Sequence, residues 1–237
     1  MISGFNKKAA LLLALSLSSS MLISCSEKDA DKVGEAQLCL DKATQGTANT
    51  CMEKIASIDT PAANLLRCSA NFIDEGFTQP SRFKSAFDAL STNSSSNTQA
   101  FMSVLAFSSK SSSADNQTYA DQTYSYCSKS EAKGFMLLGS MAEAATTLSV
   151  LAGSFTSGTQ PSSTDITNAI NAALGGGNPA AVTAIGAAVT TTYAASCQTG
   201  QQANTTLCDQ FNTALSGVDT SDASAVGNAV LNYWKNH

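Results

Sequence analysis

The amino-acid sequence predicts an all-α protein, a helical bundle of about eight to nine helices packed as hairpins and stapled by disulfides. Apolar residues recur every three or four positions in segment after segment, a spacing that places them on one face of a helix. Nowhere does strict apolar–polar alternation persist over the length that a half-buried strand needs. A helical solenoid is the alternative arrangement for the same helices.

Helix-start chemistry marks the elements of the N-terminal half. Thr60-Pro61 is a strong start, because Thr is a favourable N-cap and Pro suits the first helical position. Gly46 and Gly76 suit the turns on either side. The serine-rich stretch 91–118 predicts polar loops around one short helix at 101–107. The helices predicted before it span 33–43, 51–58, 61–75 and 80–90.

The longest predicted helix runs from about residue 129 to 152 and is apolar over most of its surface. A membrane span over 135–151 is the alternative for this segment. A polar stripe at helical spacing favours instead the central helix of a soluble bundle. The stripe consists of Gly139, Ser140, Glu143, Thr146 and Thr147. Beyond it, Gly175 to Gly177 predict a helix stop before a new start at Asn178-Pro179. The remaining predicted helices cover 166–173, 181–195, 207–215 and 226–234.

Charge and composition exclude some classes of partner. The chain has 18 acidic and 13 basic residues, and two of the basic ones, Lys7 and Lys8, lie close to the N-terminus. This balance argues against binding of nucleic acid and against a polybasic attachment to anionic lipid. Charged residues make up only 13% of the chain, so we expect a surface rich in hydroxyl groups rather than in salt bridges.

The first two dozen residues have the three parts of a secretory signal. Lys7 and Lys8 form a basic start, residues 9–23 form an apolar stretch, and Leu22-Ile23-Ser24-Cys25 ends the segment. At about 15 residues, the apolar stretch is short for a membrane span. The order Leu, aliphatic residue, small residue, Cys resembles the lipobox of bacterial lipoproteins.

This resemblance implies that residues 1–24 are removed as a signal peptide and that Cys25 carries lipid, such as diacylglycerol and palmitate. Two or more acyl chains hold a protein stably on a membrane. Ser26, where some bacteria use Asp for inner-membrane retention, favours the outer membrane of the cell envelope. We expect a lipidated tether over 25–32 and a single all-α domain over 33–237. The alternative is an ordinary cleaved signal that leaves Cys25 as a free or disulfide-bonded thiol.

Six cysteines remain once Cys25 is assigned to lipid, and an even number in an exported protein predicts disulfides. Six thiols allow 15 pairings, so the sequence does not fix one. Positions near the facing sides of predicted hairpins favour two short-range pairs and leave a third. The favoured pairs are Cys39–Cys51, Cys197–Cys208 and Cys68–Cys127. Free thiols or a metal site are the alternatives, although the chain has no Cys-x-x-Cys and no internal His, so we expect no metal or other cofactor.

Few side chains are candidates for chemistry. The single histidine, His237, is the last residue, so a Ser-His-Asp or Cys-His arrangement is not expected. Glu143 lies in the most apolar helix and is a candidate for ligand binding, although a solvated or hydroxyl-bonded carboxylate is the simpler interpretation. Tyr119, Tyr124 and Tyr126 lie beside polar side chains and are candidates for gripping a sugar, with packing against the long helix as the simpler interpretation.

These observations predict a membrane-anchored bacterial envelope lipoprotein whose helical domain is a non-catalytic scaffold or binds an envelope protein partner. The alternative is a module that binds a small hydrophobic ligand between its helices, or cell-wall glycan. An enzyme is not expected, because the residue types that acid–base and nucleophilic catalysis usually need are missing.

Overall fold

The computed structural model describes residues 28–82, 84, 97–153, 156–197 and 205–236. Helices account for 74% of the structure, and the described residues contain no strand, which confirms the all-α prediction. The described residues contain eleven helical segments, slightly more than the eight to nine expected; one of them is described only at residues 80–82 and 84. The others are α1 (28–40), α2 (Ala48–Cys51, continued by a 3-10 turn at Met52–Ile55), α3 (Pro61–Asp74), α4 (Asn97–Leu105), α5 (Ser113–Lys129), α6 (Lys133–Ala152), α7 (Ser163–Leu174), α8 (Pro179–Ser196), α9 (Thr205–Ala214) and α10 (Ala223–Asn236).

Helix α6 lies at the centre, where it packs against α4, α5, α7 and α8 and also contacts α3. Among the described helices it alone is long and apolar enough by itself to cross a membrane, and 61% of its most apolar stretch is buried inside the protein. The predicted polar stripe faces neighbouring helices, with Ser140, Thr146 and Thr147 all buried. The hydroxyl of Thr146 donates to the Ala142 carbonyl and accepts the N–H of Phe107, 2.9 Å away.

The serine-rich stretch 91–118 is more helical than predicted. Helix α4 begins before the expected short helix, and α5 begins at Ser113, inside the expected loop. The hydroxyl of Ser112 caps α5 by accepting the N–H of Asp115 at 3.1 Å. The expected helix start near residue 129 was also wrong, because α5 ends there. Glu131, with φ of 59°, turns the chain before α6 begins. Residues 91–96 lie outside the described part.

Residues 28–32, which we expected to belong to the tether, are helical and continuous with α1. The helix predicted at 80–90 is described only at residues 80–82 and 84. Other predicted ends are confirmed: the Thr60 hydroxyl accepts the N–H of Ala63, and the Asn178 side chain accepts that of Ala181.

Three groups of buried side chains form the core. One lies between α1, α2 and α3 and a second lies around Phe72 and Phe107, between α3 and α5. The largest fills the space between α4 and the helices from α6 to α10, and it includes the predicted buried faces Ile166–Ala173 and Val226–Trp234. Phe77 and Leu138 contact both the second and the third group, so the apolar interior runs through the middle of the structure.

The closest helix crossing joins α8 to α10 at two glycines. A Cβ atom on Gly186 would lie 1.7 Å from the carbonyl oxygen of Ala223, and one on Gly227 would lie 2.0 Å from that of Val182. The two backbones therefore touch, and no other residue type fits at either position. This pair of helices has the most extensive contact in the structure.

All three predicted cysteine pairs are disulfide-bonded: Cys39–Cys51, Cys68–Cys127 and Cys197–Cys208. The second joins α3 to α5 across 59 residues, and in the chain-entropy model a loop of that length contributes about 4 kcal/mol, against about 3 kcal/mol for a short one. Gly139 of α6 packs directly on this disulfide, since a Cβ there would lie 2.9 Å from the sulfur of Cys127.

A buried ion pair joins four segments near the end of α3. The Glu75 carboxylate is 1% exposed and accepts the backbone N–H groups of Ser108 and Ser109. Arg82 lies 3.9 Å from it, stacks on the Phe77 ring and donates to the carbonyls of Val104 and Ala106. Burial lowers the pKa of Arg82 to about 10, while Glu75 opposes that shift, so the side chain stays cationic at neutral pH.

We expect Gly186→Ala and Gly227→Ala each to destabilise the protein by about 3 kcal/mol, because the added methyl group forces α8 and α10 apart. Thermal unfolding followed by circular dichroism measures the effect. Gly134→Ala is the matched control, since nothing lies within 4 Å of its Cβ position and alanine favours a helix. Unfolding of both crossing variants at the wild-type temperature would contradict the backbone contact.

Candidate functional site

The three candidate tyrosines do not form one site. Tyr119 is buried and holds α2, α3 and α5 together: its hydroxyl donates to Asn71 at 3.0 Å and accepts from Asn49 at 2.6 Å. The ammonium group of Lys110 lies 3.6 Å from the centre of its ring. Burial raises the pKa of Tyr119 above its usual range, so the hydroxyl stays protonated. Its role is structural.

Asp74 extends this polar network at the end of α3. It accepts the N–H of Ala48 at 2.9 Å and also bonds the side chain of Asn49. On the other side, Asn71 donates to the buried hydroxyl of Thr123 at 2.8 Å. The network satisfies the polar groups of three helices where they meet, as buried polar groups require.

Tyr124 and Tyr126 are half-buried on different faces of α5. The backbone of Tyr124 packs next to Gly139 of α6, whereas the ring of Tyr126 lies 5.5 Å from the guanidinium of Arg67. A sugar-binding platform needs several aromatic rings on one exposed surface, and these rings are separated. Sequence proximity suggested a cluster that the helical turn does not produce.

Glu143 lies in a cleft of about 350 Å³ between α5, α6 and α8. Helices α5 and α8 both pack against α6 but not closely against each other, so α6 forms the floor of the cleft. Asp121 and Gln117 line the α5 side. The remaining lining residues are Thr147, Val150 and Leu151 of α6, and Asn178, Ala180, Ala181 and Ala184 at the start of α8.

The Glu143 carboxyl group is poorly satisfied in this cleft. Its Oε2 atom is buried without a hydrogen-bond partner, as is the Oε1 atom of Gln117. Burial, reinforced by the negative charge of Asp121, raises the pKa of Glu143 to about 8. Asp121 is held by the Gln117 amide at 2.6 Å and is the charged group that faces Glu143 among the lining residues. The simpler expectation was a solvated or hydroxyl-bonded carboxylate, whereas Oε2 of Glu143 is neither.

The spacing of two polar residues in the sequence is one signal for this arrangement. Gln117 and Asp121 are four residues apart on α5, a spacing that places both side chains on one face. What the sequence does not contain is the identity of the helix that this face meets. The cleft forms because α5 and α8 both pack against α6.

Two further depressions lie elsewhere. One, of about 300 Å³, is polar and surrounds Glu75 and Arg82, both already engaged in the buried ion pair. The other is a groove of about 460 Å³ along α1 and α3, lined by Leu40, Leu65 and Phe135 among others. The described residues contain no group of three or more His, Cys, Asp or Glu side chains that could hold a metal ion. Cys25 and His237 lie outside the described residues.

We expect the stability of the protein to depend on pH through Glu143. The folded protein keeps Glu143 protonated between pH 4.5 and about 8, whereas the unfolded chain ionises it. Folding therefore takes up a proton in this range, and the contribution of Glu143 to stability falls as pH rises through it. Glu143→Gln should match the wild type near pH 4.5 and unfold at a higher temperature above pH 8.

Unfolding temperatures measured across this pH range test the expectation, with about 2–4 °C for each kcal/mol gained. Glu53→Gln, at an exposed position, serves as the control and should follow the wild type throughout. A constant offset of Glu143→Gln at every pH would show that the carboxyl group is not desolvated.

The comparisons with known proteins assign no family to this chain. No protein-family model, no curated protein and no solved structure matches the chain. The cleft, the groove and the sequence motifs are therefore what supports a function.

Proposed function

We propose that this chain is a lipid-anchored protein of the bacterial envelope whose helical domain is non-catalytic and binds an envelope protein partner. The observation that carries the proposal is the position of Leu22-Ile23-Ser24-Cys25. These four residues end an apolar stretch, and a disulfide-bonded helical domain follows them. Disulfides form in oxidising compartments such as the periplasm, so they agree with export.

The short distance between the anchor and the domain supports a role close to the membrane. Residue 28, three positions after Cys25 in the sequence, is already helical and belongs to α1. Lipid on Cys25 would hold α1 and its neighbour α3 beside the bilayer. Ser26 favours the outer membrane as the location.

A non-catalytic role is supported by the engagement of the buried charged groups. Arg67 donates to the carbonyl of Ile55, the last residue of the 3-10 turn after α2, and to that of Ile58 in the loop that follows. Asp74 and Glu75 accept backbone N–H groups. These groups close helix ends and loops through hydrogen bonds to the backbone, which engages them structurally rather than as an acid, base or nucleophile.

The groove along α1 and α3 supports partner binding. Leu40 and Leu65 contribute apolar surface to it, and Gln37 and Asp41 lie at its α1 side. On the same helix, Leu38 is 64% exposed, the one large hydrophobic side chain so exposed among the described residues. Leu38 does not line the groove itself, so the argument rests on the contiguous apolar lining of the groove, the kind of surface that marks contact sites. We assign the groove along α1 and α3 to the partner.

Intact mass and membrane fractionation of the full chain expressed in a bacterium test the anchor. We expect wild-type protein to begin at Cys25, to carry added lipid and to sediment with membranes, because two or more acyl chains bind stably. Cys25→Ser should remain in the soluble fraction with the same helical content. An unlipidated wild-type protein, alkylated at Cys25 without prior reduction, would contradict the proposal.

Photo-crosslinking in cells tests the partner. With a photoreactive amino acid at Leu38, we expect one discrete crosslinked product in the membrane fraction, and we expect it to be lost when Cys25→Ser is added. Asn228, exposed on α10, is the control position and should give no such product. Equal crosslinking from both positions, or none from Leu38, would contradict the assignment of α1.

A further inference from the structure

The cleft beside Glu143 has a chemical character that partner binding by α1 does not explain. It is made by α5, α6 and α8, whereas the groove assigned to the partner is made by α1 and α3. Its volume of about 350 Å³ lies within the range of small-ligand sites. It is therefore a separate site.

Hydrogen-bond acceptors dominate the polar part of the cleft. Glu143 and Asp121 contribute carboxyl groups, and both Glu143 Oε2 and Gln117 Oε1 are buried without a donor. At the start of α8, Pro179 has no N–H, and the side-chain oxygen of Asn178 accepts the N–H of Ala181. An occupant that supplies N–H donors and positive charge would match this arrangement.

The rest of the cleft is aliphatic. Val150 and Leu151 of α6 face Ala180, Ala181 and Ala184 of α8. No aromatic ring lines it, which disfavours a sugar, because sugars stack on aromatic faces. Two carboxylates with one amide are also fewer oxygen ligands than a calcium ion takes from a protein site.

We propose that the cleft between α5, α6 and α8 binds a small primary ammonium ion with a short hydrocarbon chain. The ammonium group would lie between the carboxylates of Glu143 and Asp121, and the chain would cover Val150 and Ala184. Without a cation, burial and the charge of Asp121 favour the protonated form of Glu143. The bound ammonium ion displaces that proton to the solvent, and each of the two carboxylates then gains a charged donor. The inference does not depend on the lipid anchor or on the partner.

Calorimetric titration of the purified full chain with n-butylammonium chloride tests this proposal. We expect saturable binding that weakens at least about tenfold in Glu143→Gln and in Asp121→Asn, since each loses a charge-assisted hydrogen bond. Asp121 is exposed, so its substitution leaves folding intact, and circular dichroism verifies this for both variants. Glu53→Gln is the matched control and should bind as the wild type does.

Three further compounds show whether binding depends on the positive charge, the N–H donors or the hydrocarbon chain of the ligand. Tetramethylammonium, which has the charge but no N–H donor, should bind more weakly than n-butylammonium, and n-butanol should not bind. Equal binding of n-butanol and n-butylammonium would overturn the assignment of a cation. Binding that Glu143→Gln leaves unchanged, displacement by calcium chloride alone, or no saturable binding to the wild type would each overturn the proposal.

Discussion

A helix of 20 residues that is apolar over most of its circumference costs free energy wherever it meets water, and α6 is such a helix. Burying it takes four neighbours, α4, α5, α7 and α8, and the positions of these helices follow from that requirement. Its small and hydroxyl-bearing residues allow close approach instead of facing solvent. Gly139 admits the disulfide that joins α3 to α5, and Thr146 binds the loop at Phe107.

The remaining segments are joined by polar groups that satisfy the backbone rather than by surface ion pairs. Arg67, Glu75 and Arg82 bind backbone carbonyls or N–H groups at helix ends and loops. A buried charge used in this way fixes the path of the chain, because removing the side chain leaves several buried backbone groups without a hydrogen-bond partner. Such bonds are consistent with a chain in which only 13% of the residues are charged.

The same packing creates the two surfaces to which we assign functions. The groove between α1 and α3 lies at the end of the chain that the proposed lipid would hold near the membrane. The cleft at Glu143 exists because α5 and α8 share α6 but diverge from each other. Its raised carboxyl pKa follows from this geometry, since Glu143 is partly buried beside Asp121 and its Oε2 atom gains no donor. Partner binding and ligand binding would therefore take place on different faces.

The sequence by itself determined the helical class and the caps at Thr60 and Asn178, because helix periodicity and capping are local properties. Loop closure favoured the two short-range cysteine pairs, whereas Cys68–Cys127, 59 residues apart, followed only as the remaining pair. It did not separate the three tyrosines or show that the polar stripe of α6 is buried. Those features depend on which helix meets which face, and that is decided by side chains far apart along the chain. The close crossing at Gly186 and Gly227 is the clearest case, because each glycine is explained only by the backbone of the other helix. Glu143 was found as a candidate from the sequence, but its environment was decided by tertiary packing alone.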